Sequence, residues 1–484
     1  MICMKLAELL NGVEVKEIIG SEHLNITGIA FNSLEVKPGN IFVCISGFKT
    51  DGHKYAADAI GRGAIAVMAE KDISELGVTC IICDNTRLAL ARASANFYGH
   101  PENKFKLIGI TGTNGKTTTT YLVKSVLESL GHKVGLIGTN QNMVGTEVIP
   151  SKHTTPDSLE LMQLFSHMAE KGAEYVVMEV SSHSLALDRV TACTFDVGAF
   201  TNITQDHLDF HKTMEQYLEA KGILYHISRA GVVNVDDSGA DYLLSTSKCE
   251  RMLTYGIDKD CDLRAYDVEL SEKGVDFKVK YEGENYTVQL GIPGRFSVYN
   301  ALTAIGCLLA AGVDMKDAVA GLKSARGVKG RIEVVETGRD FSVIIDYAHT
   351  PDGLYNVIRT IRGFCKGRII TVFGCGGDRD VTKRPKMGKI AAALSDFCVV
   401  TSDNPRTEDP EKIVADVVEG VKDGNCDYAV VTNRFEAIEF ALDHAKVNDV
   451  VLLAGKGHET YQILADRTID FDEREIVKKL LNVE

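Results

Sequence analysis

The sequence predicts an α/β protein in three domains: a small N-terminal α/β domain, a central domain built around a glycine loop, and a C-terminal doubly wound, Rossmann-like domain. Three observations carry this. At 484 residues the chain exceeds what one hydrophobic core organises, and at about 150 residues per domain three cores are expected. Apolar runs of strand length alternate with helix-periodic segments, the pattern of a parallel sheet covered by helices. A Gly-Lys-Thr loop follows a buried strand and opens a helix at residues 112–118. The expected boundaries are 1–105, 106–333 and 334–484.

In the first segment, Gly28–Phe31, Asn40–Ile45 and Ala64–Met68 read as strands and Thr86–Tyr98 as a helix. Leu107–Ile110 is continuous and apolar. Leu122, Val123, Val126, Leu127 and Leu130 then recur at helical spacing, with Gly131 placed as a C-cap. Tyr175–Val180 and Phe195–Phe200 are further buried strands, while Leu263–Leu270, Val275–Tyr281 and Tyr286–Leu290 alternate like an antiparallel meander of the central domain. The C-terminal strands are Ser342–Ile345, Ile369–Phe373, Phe397–Thr401, Ala429–Thr432 and Val450–Ala454. Ligands of such sheets sit beyond the carboxyl ends of the strands. Those ends carry Asp346–His349, Gly374–Arg379, Asp403–Arg406 and Gly455–Glu459.

Composition narrows the class. The chain is 45% hydrophobic and 25% charged, an ordinary globular balance, and its net charge of -14 opposes nonspecific attraction to nucleic acid or anionic membrane. No apolar stretch approaches the roughly 20 residues of a bilayer span, and the charged N-terminus does not read as a secretory signal, so a cytoplasmic location without membrane insertion is expected. The twelve cysteines are scattered through apolar runs, the usage of reduced, buried thiols. Cys80 and Cys83 fall within a strand-like run and read as core.

The run Gly112-Thr113-Asn114-Gly115-Lys116-Thr117-Thr118 lets backbone N–H groups and a helix N-terminus surround a triphosphate. Lys116 would reach the β- and γ-phosphates and Thr117 a Mg²⁺. Ile110 stands where the longer loop pattern has its first glycine, so this is a shorter variant of a P-loop. Glu179, then Ser181, Ser182 and His183, emerge at the same sheet edge, which suits either a second Mg²⁺ contact or a solvated polar loop. Asn202–His211 adds Asp206 and His207. On the helix beginning near Thr213, Lys221 falls among Tyr217, Leu218, Leu224 and Tyr225. It either snorkels or is a lysine of depressed pKa that reacts as the neutral amine.

In order along the chain, Thr111–Thr118, His153–Asp157, Met178–His183, Asn202–Asp209, Ala220-Lys221, Tyr299–Ala301, Gly330–Glu333, Asp346–Pro351 and the C-terminal rim loops closely resemble the Mur ligase family. The family consists of ATP-dependent amide-forming enzymes of peptidoglycan precursor synthesis. The resemblance implies an N-terminal UDP-substrate domain, a central P-loop-type ATPase domain and a C-terminal amino-acid domain. Within the family the chain is most similar to members that add meso-diaminopimelate to UDP-N-acetylmuramoyl-L-alanyl-D-glutamate through an acyl phosphate, using ATP and Mg²⁺. Lysine-adding and folylpolyglutamate-type ligases are the neighbouring readings, and a nucleotide-binding regulator the reading from another class. A monomer is expected.

The resemblance also assigns residues. Ser33, Thr154, Thr155, Ser181 and Arg189 would bind the UDP-substrate. Gly112–Thr118, Asn300 and Arg331 would bind ATP, and Thr117, Glu179 and His207 would hold Mg²⁺. Lys116, Lys221 and His207 carry the chemistry, with Lys221 matching a carbamylated lysine. Arg379, Asp403, Asn404, Pro405, Arg406, Gly455 and Glu459 would bind diaminopimelate. The chain departs from the common pattern at Leu187, where many relatives carry glutamine, and at Asn32-Ser33-Leu34, which replaces Asp-Ser-Arg.

Overall fold

Strands form where apolar, β-branched runs are buried on both faces, and they set the position of every polar loop that follows. The computed structural model describes residues 3–47, 50–151, 153–325 and 327–483. Two compact units result: Met1–Cys261 with Thr303–Asp314, and Asp262–Leu302 with Met315–Glu484.

The first unit holds two sheets. The N-terminal sheet runs in the order Glu17–Ile19, Thr79–Ile82, Ala66–Ala69, Asn40–Val43, Gly28–Ala30, parallel except for the first pairing. Cys80 lies inside it and Cys83 just beyond the end of Thr79–Ile82, both as buried free thiols. In the second sheet Lys106–Thr111 lies between Tyr175–Glu179 and Phe195–Phe200 and runs parallel to both. Val134–Ile137 flanks one side, Ser228–Asn234 and then Arg251–Gly256 the other, all parallel. The helix Lys116–Ser129 packs Leu122, Val123, Val126 and Leu127 inward and is followed by Gly131 at φ +89, the left-handed exit expected of a glycine there. The helix Met214–His226 starts as the sequence requires, with the Thr213 hydroxyl accepting from Gln216 N–H at 3.2 Å.

In the second unit, Leu263–Ser271, Gly274–Tyr281 and Glu284–Leu290 form the expected antiparallel meander. The C-terminal sheet has the order Glu333–Val335, Ser342–Asp346, Val450–Ala454, Ile369–Phe373, Phe397–Val400, Asp427–Val430, parallel but for the first pair. Alternate residues enter opposite cores: Ile344 and Leu452 face Leu354, Ile358 and Val417, whereas Val343, Ile345 and Leu453 face Ile438 and Ala441. Several strands end one or two residues from the expected bounds, and the last strand of this sheet is displaced as a whole. The run Ala429–Thr432 has the pattern of the last strand, but the ladder opposite Phe397–Val400 selects Asp427–Val430 and leaves Tyr428 and Val430 exposed on the edge. Among the described residues no helix is long and apolar enough to cross a membrane.

Candidate active site

The glycine loop is shaped by a close approach. Gly112 sits at φ +145, and a Cβ there would lie 1.9 Å from Thr201 Oγ1, so glycine alone lets the loop press against the end of the neighbouring strand. Thr113 N–H donates to Asn202 O and Asn114 N–H to Asn202 Oδ1, each at 2.9 Å, and Thr201 Oγ1 donates to Asn114 O at 2.6 Å. Gly115, at φ +85, caps the helix whose first turn carries Lys116, Thr117 and the half-buried Thr118. Lys116 Nζ folds back on Gly112 O and Thr113 O, both at 2.9 Å. The loop is a ring of backbone donors with a cation at its mouth, which is the chemistry a polyphosphate requires.

Glu179 ends its strand as a buried carboxylate. Its Oε1 accepts from Thr117 Oγ1 and from Thr139 N–H, each at 2.9 Å, and its Oε2 accepts from Thr139 Oγ1 at 3.1 Å. A hydroxyl and a carboxylate side by side at the sheet edge are hard oxygen donors and fit Mg²⁺. His207 is the left-handed N-cap (φ 52) of the turn Leu208–His211; its half-exposed ring stands 4.8 Å from the His183 ring. Burial, with His207 as the next cause, pushes the His183 imidazole below its usual range.

Lys221 is only 1% exposed. Its Nζ stands 4.2 Å from the centre of the Tyr217 ring, and the Tyr217 hydroxyl shares a 3.1 Å hydrogen bond with Thr113 Oγ1. Snorkelling is therefore excluded, and the helix is tied directly to the glycine loop. Burial first, and the Lys116 charge second, push the amine well below the usual lysine range. Lowering the pKa favours the neutral amine, the nucleophilic form.

The residues expected to bind the UDP-substrate converge, apart from Ser33. Thr155 Oγ1 donates to Glu179 O at 2.9 Å and accepts from Ser181 N–H at 3.1 Å. Arg189 Nη1 donates to Thr155 O at 3.0 Å while its Nε lies 2.9 Å from Asp157 Oδ1. Thr154 Oγ1 lies 3.1 Å from Thr139 Oγ1, whose own proton goes to Glu179. Ser33 belongs to the N-terminal sheet layer, on the turn Ser33–Glu35, where its hydroxyl holds the Asp58 carboxyl below the usual range. The neighbouring Leu34 is 70% exposed, and Leu187 caps the short helix Ser182–Ala186.

The second unit holds the remaining candidates. Among the described residues, the buried Asn300 has Nδ2 without a hydrogen bond, and the buried Arg331 Nε likewise has none. The Arg331 guanidinium lies 5.3 Å from the Tyr347 ring centre. Buried donors left open fit a ligand rich in acceptors. On the rim, Asp403 Oδ1 accepts from Asn404 N–H at 2.8 Å, whereas Oδ2 is buried without a hydrogen bond among the described residues. Arg406 adopts φ 53, and its Nη1 donates to Gly377 O at 2.9 Å. The carboxylate two residues along, Glu408, is held by Arg384 through bonds of 2.9 and 2.8 Å. Pro405 O would lie 1.9 Å from a Cβ on Gly377, and Asp403 Oδ2 would lie 2.7 Å from one on Gly455, so both neighbouring loops are packed against this segment. Glu459 Oε2 accepts from Asn404 Nδ2 at 2.9 Å. Arg379 is exposed and bonds Asp378 O at 3.1 Å.

Sequence reasoning missed three contributors. Thr139 follows the strand Val134–Ile137 at the same sheet edge as Glu179, a signal that could have found it. Gln462 Nε2 donates to Asp403 O at 2.6 Å, and Ile463 accepts from Arg406 N–H at 3.2 Å and donates to Asn404 Oδ1 at 3.0 Å. This clamp is long-range and has no local signature.

Residues 110–308 match the family described as Mur ligase middle domain, residues 330–457 the Mur ligase glutamate ligase domain and residues 25–98 the Mur ligase family catalytic domain. An enzyme of Caldanaerobacter subterraneus subsp. tengcongensis named UDP-N-acetylmuramoyl-L-alanyl-D-glutamate--2,6-diaminopimelate ligase is 51% identical over 480 residues, 99% of either chain. One of the same name from Clostridium botulinum is 48% identical over 484 residues, again 99% of each. A solved structure of a ligase so named superposes with a TM-score of 0.76 at 30% identity and 99% coverage of both chains. A Mycobacterium tuberculosis folylpolyglutamate synthase, at 17% identity and TM-score 0.62 over 82% of this chain and 96% of its own, shares the fold.

Proposed function

Because the chain belongs to the Mur ligase family, we propose that it is the ATP-dependent ligase that adds meso-diaminopimelate to UDP-N-acetylmuramoyl-L-alanyl-D-glutamate. The γ-phosphoryl group of ATP passes to the substrate's γ-carboxylate, and the amino-acid amine attacks the resulting acyl phosphate. An amide forms, and ADP and phosphate leave. No covalent enzyme nucleophile is required. The reaction belongs to peptidoglycan precursor synthesis in the cytoplasm, and the enzyme acts as a monomer.

Residues 1–105 serve the UDP-substrate, 106–333 ATP and 334–484 the amino acid. Gly112–Thr118 cradle the phosphates, and Lys116 leaves its loop carbonyls to meet the transferring group, where charge develops. Thr117, Glu179 and His207 would hold Mg²⁺, which would supply charge stabilisation on the phosphoryl oxygens. Lys221, whose amine burial holds well below the usual lysine range, would take up CO₂ as a carbamate with one proton released to solvent, and would present an anion where the bare side chain presents an amine. Asn300 and Arg331 have open buried donors for the nucleotide. Ser33, Thr154, Thr155, Ser181 and Arg189 orient the UDP-substrate.

One observation carries the choice of amino acid: among the described residues Arg406 is fixed by backbone carbonyls rather than by a carboxylate, beside an Asp403 oxygen with no hydrogen bond. A guanidinium without an acidic partner accepts the distal carboxylate of diaminopimelate through paired bonds, and Asp403 receives the distal ammonium. L-lysine lacks that carboxylate and would leave Arg406 unmatched. Amide formation measured with each amino acid separately tests this. Preference for L-lysine would refute it.

A further inference from the structure

We propose that Lys456 is a positioning residue for amino-acid recognition: a buried ammonium that locks Asn404 and Glu459 into one arrangement without touching substrate. This rests on the amino-acid site just assigned. Gly455 and Gly457 both take positive φ, +118 and +55, and a Cβ on either would strike a neighbour, Asp403 Oδ2 at 2.7 Å or Tyr347 Cβ at 2.6 Å. The Gly-Lys-Gly turn is thereby pressed flat on two rim loops, and Lys456 between the glycines is driven inward to 0% exposure.

There Nζ donates to Asn404 Oδ1 at 3.1 Å and to Glu459 Oε2 at 3.2 Å, while Asn404 Nδ2 donates to the same Glu459 oxygen at 2.9 Å. The triangle closes in one sense only. Asn404 Oδ1 also accepts from Ile463 N–H, so the amide oxygen faces the two donors and the amide nitrogen faces the carboxylate. The Tyr461 and Phe471 rings also flank it, with centres 5.8 and 5.9 Å from Nζ.

Two consequences follow. Lys456 cannot leave to meet a substrate, because a buried ammonium without these acceptors would be strongly destabilised. Glu459 is already paired with Lys456 and Asn404, whereas Asp403 Oδ2 has no hydrogen bond among the described residues and stands 4.0 Å from Arg434 Nη1. Without Lys456 the Glu459 carboxylate would lose its cation, and only the Asn404 amide would hold it in place.

The test uses the full-length enzyme with ATP, UDP-N-acetylmuramoyl-L-alanyl-D-glutamate and the amino acid that the wild type uses best, following ADP release and amide formation. Lys456→Met should raise the amino-acid KM at least tenfold while the KM for ATP and for the UDP-substrate stays within twofold. Lys456→Arg, which keeps the charge, should recover part of the loss and serves where the methionine variant folds poorly. In a double-mutant cycle, Glu459→Gln should cost less in the Lys456→Met background than in the wild type. Equal loss for all three substrates, a raised ATP KM, or additive effects in the cycle would overturn the proposal. Wild-type preference for another amino acid would refute only the diaminopimelate assignment, since the same KM comparison is then read on that amino acid.

Discussion

Replacing Gly112 by alanine should remove nucleotide binding while leaving the rest of the molecule folded. The new Cβ would stand 1.9 Å from Thr201 Oγ1 and 3.1 Å from Asn202 O, on a backbone at φ +145 that an L side chain rarely adopts. Backbone strain of this kind costs about 1–3 kcal/mol, and overpacking about 1–3 kcal/mol more. The loop can relieve both only by moving off Thr201, whose hydroxyl donates to Asn114 O at 2.6 Å. The donor ring then loses its shape. If the roughly 2–6 kcal/mol is expressed in ATP affinity, at 1.4 kcal/mol per tenfold the loss is about 30-fold to about 10⁴-fold. A matched control exists in Gly131, also at positive φ (+89) but with nothing within 4 Å of its Cβ. Gly131→Ala should cost about 1 kcal/mol of stability through conformation alone and leave ATP binding unchanged. Nucleotide titration and thermal melting of both variants are the assay. A Gly112→Ala enzyme that binds ATP within threefold of wild type would refute the argument.

Lys221→Ala should lower turnover by at least about a thousandfold, as expected when a group acting on the transferring phosphoryl is removed, and short carboxylic acids added to the assay should restore part of it; full activity would refute the carbamate role. The same lysine makes a stability prediction of opposite sign. Its folded pKa is depressed, so the unfolded chain binds the proton more tightly, and this contribution to stability rises with pH from the folded pKa to about 10.4. Lys221→Met in CO₂-free buffer should therefore be more stable than wild type at pH 7, with a smaller gain at pH 9, read by denaturant titration. Arg406→Ala should cut kcat/KM for meso-diaminopimelate by about 10²–10³, the loss of a paired charge-assisted contact, measured by amide formation. Arg384, 1% exposed and bonded to Glu408 and Asp416, should destabilise the fold by about 2–4 kcal/mol when changed to methionine, a shift that chemical denaturation would detect.

Much of this protein was determined by local sequence. The strands Phe195–Phe200, Ile369–Phe373 and Val450–Ala454 are mostly apolar and bounded by polar residues or glycine, so their limits were legible to the residue. The glycine loop was legible because its chemistry is backbone chemistry, set by Gly112, Gly115 and the helix that follows. Lys221 was visible as an exception to an apolar face. Tertiary structure decided what depends on partners distant in sequence. Whether Lys221 snorkels is settled by Tyr217 and the neighbouring core, and the edge strand Asp427–Val430 takes its register from the strand beside it. Among the described residues Arg406 makes no ion pair, since Arg384, from the helix Lys383–Leu394, holds Glu408, and Asp378 acts on it only through its charge. The arrangement of Asn404, Lys456, Glu459 and Ile463 joins segments more than fifty residues apart. Periodicity reports which face of an element is buried. It carries no information on which groups will meet there, because hydrogen bonds between loops are chosen only when packing brings the sheet's carboxyl ends together.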